Sequence, residues 1–243
     1  MKFLTTIVLL QIMWLASAQD VQLHYDLGKP EDGSKRDFFV STVEMFRPDS
    51  IGSTFFFIDF EYNTKDEPRG ASSGYWEISR EFYVPYIQDI KPLKGLSLHI
   101  EYNDGLYLYN IDSARYGENI NSAYLVGLGY PFHLGPVDFN AALMYKYIRG
   151  SQAPDAQFTL VWFTMLFNYK FTITGFADVW TQDLFDLKSF KEEKKVVFYA
   201  EPQFWYNATQ KLAIGSEIKI GYNFFFGSKR TEVFPTIGVK YEF

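Results

Sequence analysis

Residues 231–243, TEVFPTIGVKYEF, constrain this chain more than any other stretch. From Val233 onward every second residue is apolar or proline: Val233, Pro235, Ile237, Val239, Tyr241 and Phe243. Phe234, Thr236, Gly238, Lys240 and Glu242 fall between them, and most of these are small or polar. Successive side chains of an extended strand point to opposite faces, so the pattern predicts a strand with one greasy face and one mixed face. A strand of that kind left uncovered invites edge pairing with other chains. It must lie against a protein core or against lipid.

The same period-2 pattern recurs along the chain, and little helical periodicity competes with it. Strands are expected at residues 21–27, 38–46, 54–62, 75–86, 96–103, 122–132 and 137–148. Others are expected at 196–206, 212–224 and in the closing stretch. Residues 158–176 are apolar enough to suggest a membrane helix. Asn168, Tyr169 and Lys170 interrupt the run, and its Phe, Thr and Val favour strands, so it reads as two strands around a tight turn, the second reaching Trp180. Arg80 breaks the alternation of the fourth strand, which a bulge or a different register would explain. The stretch 104–121 reads as a long connection with a possible strand extension at 106–109, and the Lys/Glu run within 182–195 as a solvated loop.

The total is twelve strands, joined alternately by short turns and longer charged loops. An up-and-down antiparallel barrel gives that asymmetry, with short turns and both termini at one rim. Strands of about 9–11 residues are the length a bilayer requires. The fold class expected is all-β, a 12-stranded antiparallel up-and-down transmembrane β-barrel.

The amino terminus supplies a compartment. Lys2, an apolar run from Ile7 to Leu15 and the small residues Ala16 and Ala18 read as a secretory leader over residues 1–18, leaving a barrel domain at 19–243. The chain has no cysteine, so disulfides do not hold it together. Its formal net charge is −6, unsuited to nucleic acid, whose phosphates need Lys and Arg. Aromatic residues make up 20% of the chain, yet mean hydropathy is only −0.14, as fine interleaving of apolar and polar residues requires.

Alternation alone does not say which face is outside. The apolar faces carry large aromatics near strand ends, among them Phe39, Phe46, Tyr62, Trp76, Tyr102, Tyr147, Tyr206, Phe224, Tyr241 and Phe243, which suits two girdles at lipid–water interfaces. The other faces carry carboxylates with Gly, Ser, Thr and Asn, which suits a wet lumen. Together with export, this puts the apolar faces in membrane lipid.

The closing strand with Tyr241 and Phe243 resembles the signal read by the outer-membrane barrel assembly machinery of Gram-negative bacteria, which implies residence in that membrane. With twelve strands, Leu98-His-Ile-Glu-Tyr-Asn-Asp-Gly105 and Gly129-Tyr-Pro-Phe132, the chain is similar to the Tsx-like nucleoside-specific channel-forming porins, in a Bacteroidota-type branch. The resemblance implies a narrow monomeric channel whose aromatic and ionisable lumen takes up nucleosides passively. It transfers no individual nucleoside contact to a residue of this chain.

The residues themselves nominate a lumen set: Phe55, Phe57, Asp59, Glu77, Glu81, His99, Glu101, Asp178, Trp180, Glu201, Trp205, Glu217 and Lys219. Aromatic faces, Phe176 included, are placed to stack bases, and carboxylates to accept ribose hydroxyls. The same carboxylates also fit a charge ladder that fills a narrow barrel. Lys219 reads as an offset for Glu217. An acidic lumen disfavours anions.

Catalysis is not expected, nor a cofactor or metal. His24, His99 and His133 lie on separate strands with no spacing that makes them converge, and no phosphate loop or nucleophile elbow occurs. An outer-membrane phospholipase would need a Ser-His pair on the lipid face, whereas Ser97 and His99 read as lumen residues and His99 is followed by Ile-Glu-Tyr. A barrel that transports nothing, as a scaffold, adhesin or lipid-binding protein, is the remaining alternative.

Overall fold

In the computed structural model, residues 19–28, 38–63, 70–111, 114–151, 153–186, 191–225 and 230–243 are described. The leader expected over residues 1–18 lies outside them. The strands are β1 (Gln19–Asp26), β2 (Phe38–Asp49), β3 (Gly52–Asn63), β4 (Gly70–Tyr83), β5 (Ser97–Ile111), β6 (Ala114–Leu134) and β7 (Val137–Ile148). They continue with β8 (Asp155–Leu166), β9 (Phe171–Asp186), β10 (Lys191–Ala200), β11 (Gln203–Asn207), β12 (Leu212–Tyr222) and β13 (Thr231–Glu242). One turn of 3₁₀ helix, Lys91–Leu93, is the only helix among the described residues. No helix there is long and apolar enough to cross a membrane.

Apart from β10 and β11, each strand pairs antiparallel with the next in sequence, and β13 pairs with both β12 and β1. The sheet is thereby closed. β10 and β11 form one stave, since both lie between β9 and β12. The barrel therefore has twelve staves. Sequence periodicity predicts one strand over 196–206. The stave is split at Glu201–Pro202 because proline has no N–H for the ladder. Opposite the split, Gly175 has φ +147°, and a Cβ there would lie 2.3 Å from the Glu201 carbonyl oxygen.

The faces are inverted relative to a water-soluble barrel. On β1, Gln22, His24 and Asp26 are each 1% exposed and point inward, whereas Val21 and Leu23 are 36% and 45% exposed. Register carries this parity round the ring, from Gln22 to Thr42, Asp59, Tyr75 and Gly105 in one direction and to Lys240 and Ala213 in the other. A greasy outer wall is stable where lipid is the solvent, and closure satisfies the backbone groups that lipid cannot.

Three expectations need correction. Arg80 sits in an unbroken register, opposite Thr54 and Ile100; the irregularity in the β3–β4 ladder lies instead at Glu61/Tyr62. Arg80 points outward near the rim because Asp49 accepts two hydrogen bonds from its guanidinium, at 2.7 and 2.9 Å. The Lys/Glu run is strand, not loop: β9 and β10 pair from Asp186↔Lys191 onward, and Lys194 Nζ reaches Asp155 at 2.8 Å and Asp183 at 3.1 Å. Within 104–121 the strand extension read at 106–109 is present but goes further, since β5 and β6 continue as a paired hairpin to Ile111↔Ala114. The expected asymmetry of the connections holds only in part: tight turns such as Leu134–Val137 lie at the rim of the termini, but at the other rim β6 begins at Ala114, close after Ile111 of β5. The segment from Val84 to Leu96 is the longer exception at the rim of the termini.

Candidate functional site

The inward residues fall into three groups. Toward the rim of the termini, Trp205 is completely buried. The His24 ring meets it edge-on at 5.5 Å, and Lys240 Nζ lies 5.0 Å from its centroid. His24 hydrogen-bonds Thr236 at 2.9 Å and Gln22 at 3.0 Å. Trp205 donates to Gln203 at 2.9 Å, and Gln203 donates to Glu217 at the same distance. Trp205 thus keeps no free face. Beside this group, Lys219 Nζ stands 3.7 Å from both Glu201 and Glu217, and Tyr199 donates its hydroxyl proton to Glu201. These residues form a charge ladder, as the sequence pattern allows.

The wall made by β2–β4 and β8–β9 is more open. Thr42 donates to Asp59, Thr159 to Asp178 and Tyr75 to Glu77, each at 2.5 Å. Asp59, Glu77, Glu101 and Asp178 keep partial access to solvent, as do Phe55, Phe57 and Phe176. The Phe55, Phe57 and Tyr75 rings follow one another at 6.0 Å. Lys146 donates to Gln157 at 2.7 Å and lies 4.3 Å over the Trp180 ring.

A third group links β4 to β7 over the inner face of β5 and β6. His99 sits between Glu101 at 2.9 Å and Glu81 at 3.4 Å. Ser97 donates to Glu81 at 3.1 Å, and Asn140 on β7 donates to it at 2.7 Å. Glycine on β6 makes room for this bridge: a Cβ at Gly129 would fall 2.7 Å from Glu81 Oε1. Ser97 and His99 face inward, and Ser97 hydrogen-bonds Glu81 and the Gly129 carbonyl, so this Ser-His pair is not on the lipid face. His133 pairs with Asp138 at 2.5 Å on the exposed rim, so the three histidines have separate partners.

All the residues nominated from the sequence have inward parity. What the sequence does not show is who meets whom; Lys240 is read from it as a lumen residue, but the nominated set leaves out Tyr75, Asn140, Lys146, Tyr199 and Gln203. Two residues assigned to the lipid-facing girdles belong inside. Phe46 is paired with the inward Phe55. Phe224 follows Asn223, whose φ of +55° turns the chain, and it stacks on Tyr199 at 4.0 Å and approaches Trp180 at 5.8 Å. Phe225 continues this aromatic cluster to Phe234 at 4.7 Å.

A closed barrel of twelve staves with an apolar outer wall and an ionisable interior defines a protein of the outer-membrane porin fold. The chain belongs to the DUF5020 family, described as a domain of unknown function, whose pattern it matches over residues 18–243. No curated protein sequence matches it. Among solved structures it is similar to the NanC porin, at 11% identity and a TM-score of 0.55, covering 93% of this chain and all of that one. It is also similar to the KdgM porin (9% identity, TM-score 0.46, 93% and 99% covered) and to the outer-membrane channel DcaP of Acinetobacter baumannii (10%, 0.44, 93% and 96%). At these identities the likeness concerns the fold.

Proposed function

We propose that this chain is an outer-membrane channel of a Gram-negative bacterium, exported by a cleaved leader, that passes small polar solutes and prefers neutral or cationic ones. The observation that carries the reading is the accessible lumen wall, where Asp59, Glu77, Glu101 and Asp178 alternate with Phe55, Phe57 and Phe176 along a closed barrel. Carboxylates lining a narrow, low-dielectric passage repel anions more strongly than they would in bulk water. Nucleosides are the solute class proposed within this reading. A base offers a flat face to the phenylalanines, and a ribose offers hydroxyls to the carboxylates; the Tsx-like motifs point the same way.

Purified protein in planar bilayers tests it. The reversal potential in a potassium chloride gradient should favour cations, and micromolar adenosine should block the current while glutamate does not. An anion-favouring reversal potential overturns the charge argument. A barrel that never conducts supports the non-transporting alternative, which the bridge between Asn140 and Glu81 and the filled region around Trp205 favour. Glu81→Ala separates the two within one protein. It removes the side chain that holds Ser97, His99 and Asn140 together, so conductance should rise. Unchanged conductance would place the narrowest point elsewhere.

A further inference from the structure

The β5–β6 hairpin carries a feature that the lumen reading does not use. Beyond Gly105, Tyr107 and Tyr109 of β5 and Tyr116 of β6 share one face. Their rings follow at 6.0 Å in both steps, with interplanar angles of 23° and 22°. Tyr107 and Tyr116 are 48% and 46% exposed. Leu106 and Leu108 occupy the opposite face with Gly117, whose added Cβ would contact both of them. Glu118 stands opposite Tyr107 in the register and is exposed.

The tyrosine face is continuous with the lumen. Tyr107 pairs with Ser73 of β4, and Tyr75, two residues along, heads the row Tyr75, Phe57, Phe55 inside the barrel. The hairpin is also held in place. At its base Asp104 accepts from the Gly105 amide at 2.7 Å, from Ser122 at 3.1 Å and from the Tyr102 hydroxyl. Near its tip Arg115 donates to the Ala71 carbonyl at 2.9 Å.

We propose that Tyr107, Tyr109, Tyr116 and Glu118 form an outer capture site for a ring-shaped solute edged with hydroxyl groups. The proposal rests on the channel reading and adds its first binding step. Successive tyrosine faces favour any flat or ring-shaped apolar surface, since stacking depends little on its identity. Phenol hydroxyls and the Glu118 carboxylate bond the hydroxyl rim, and the carboxylate turns away anionic rings. Rings 6.0 Å apart are too close to admit another between them, so the solute lies across their exposed faces and edges. A nucleoside and a neutral oligosaccharide both present this chemistry.

Calorimetric titration of the purified, folded barrel decides it, with adenosine, maltotriose and, as a solute with no ring, glycerol. Adenosine or maltotriose should bind and glycerol should not. Tyr109→Ala combined with Tyr116→Ala should weaken binding about tenfold or more. Glu118→Gln should weaken it less, while the outward-facing control Tyr124→Ala should bind like the parent. Heat-modifiable migration confirms that each variant is folded, and saturation-transfer NMR on the parent protein reports the contact without any substitution. Which solute binds identifies the source of the ring. Binding of neither, or equal binding by the double variant, overturns the site. Binding by a barrel that does not conduct would keep the site and reject the channel, whereas conduction without ring binding would do the reverse.

Discussion

Replacing Lys219 with methionine should destabilise the barrel by about 3–5 kcal/mol, the usual cost of leaving buried charge without its partner. Lys219 is 7% exposed and stands 3.7 Å from both Glu201 and Glu217, with Asp59 and Glu61 also within electrostatic reach. Methionine matches its length but removes the cation that lies between Glu201 and Glu217. The loss is measured as the shift in urea or guanidinium unfolding in lipid. Adding Glu217→Gln should recover a large part of it, because contacting residues are not additive. If the barrel conducts, Lys219→Met should also move the reversal potential further toward cations. A neutral effect on stability would mean that water in the lumen screens the cluster and that Lys219 is not its keystone.

The architecture was legible in the sequence because lipid forces a simple rule. Each strand must keep one apolar face, and the alternation of β7, β12 and β13 shows it directly. Parity within a strand also placed Asp59, Glu77, Glu101, Asp178, Glu201 and Glu217 inside. Alternation does not, however, carry the stagger between strands. Nothing in the sequence tells that Glu81 would meet Asn140, or that Lys146 would lie over Trp180. Parity also fails where the chain turns: Asn223, at positive φ, sends Phe224 into the lumen.

The two strand extensions were hidden, β9–β10 wholly and β5–β6 beyond 106–109, for different reasons. In β9–β10 charged residues mimic a loop, and only the partners Asp155 and Asp183 make Lys194 part of a ladder. In the β5–β6 hairpin both faces are apolar, Leu106 and Leu108 on one and Tyr107 and Tyr109 on the other. The contrast on which a period-2 reading depends disappears there, and with it the tyrosine row. The interior of this barrel is thus harder to read than its wall, because polar contacts follow register and the wall follows composition.

Deleting Phe243 should abolish most of the membrane-inserted barrel in cells while leaving the refolded protein nearly intact. The two results separate because the residue contributes little to the finished structure. Its amide donates to the Gln19 carbonyl at 3.1 Å, its ring meets Tyr241 edge-on at 5.5 Å, and it is 54% exposed. One such hydrogen bond contributes about 1 kcal/mol. The closure itself is made further along β13, where Tyr241 pairs with both Leu212 and Val21 and the Glu242 amide donates to the Lys211 carbonyl at 2.8 Å. Protein refolded in vitro into lipid vesicles should therefore unfold within about 1 kcal/mol of the parent. Loss of yield in cells then reports on recognition, since an aromatic terminus with Tyr241 two residues before it is what the assembly machinery is proposed to read. Equal yield of the truncated protein in cells would remove Phe243 from that role. A large loss of stability in vesicles would make the terminal ring part of the closure instead.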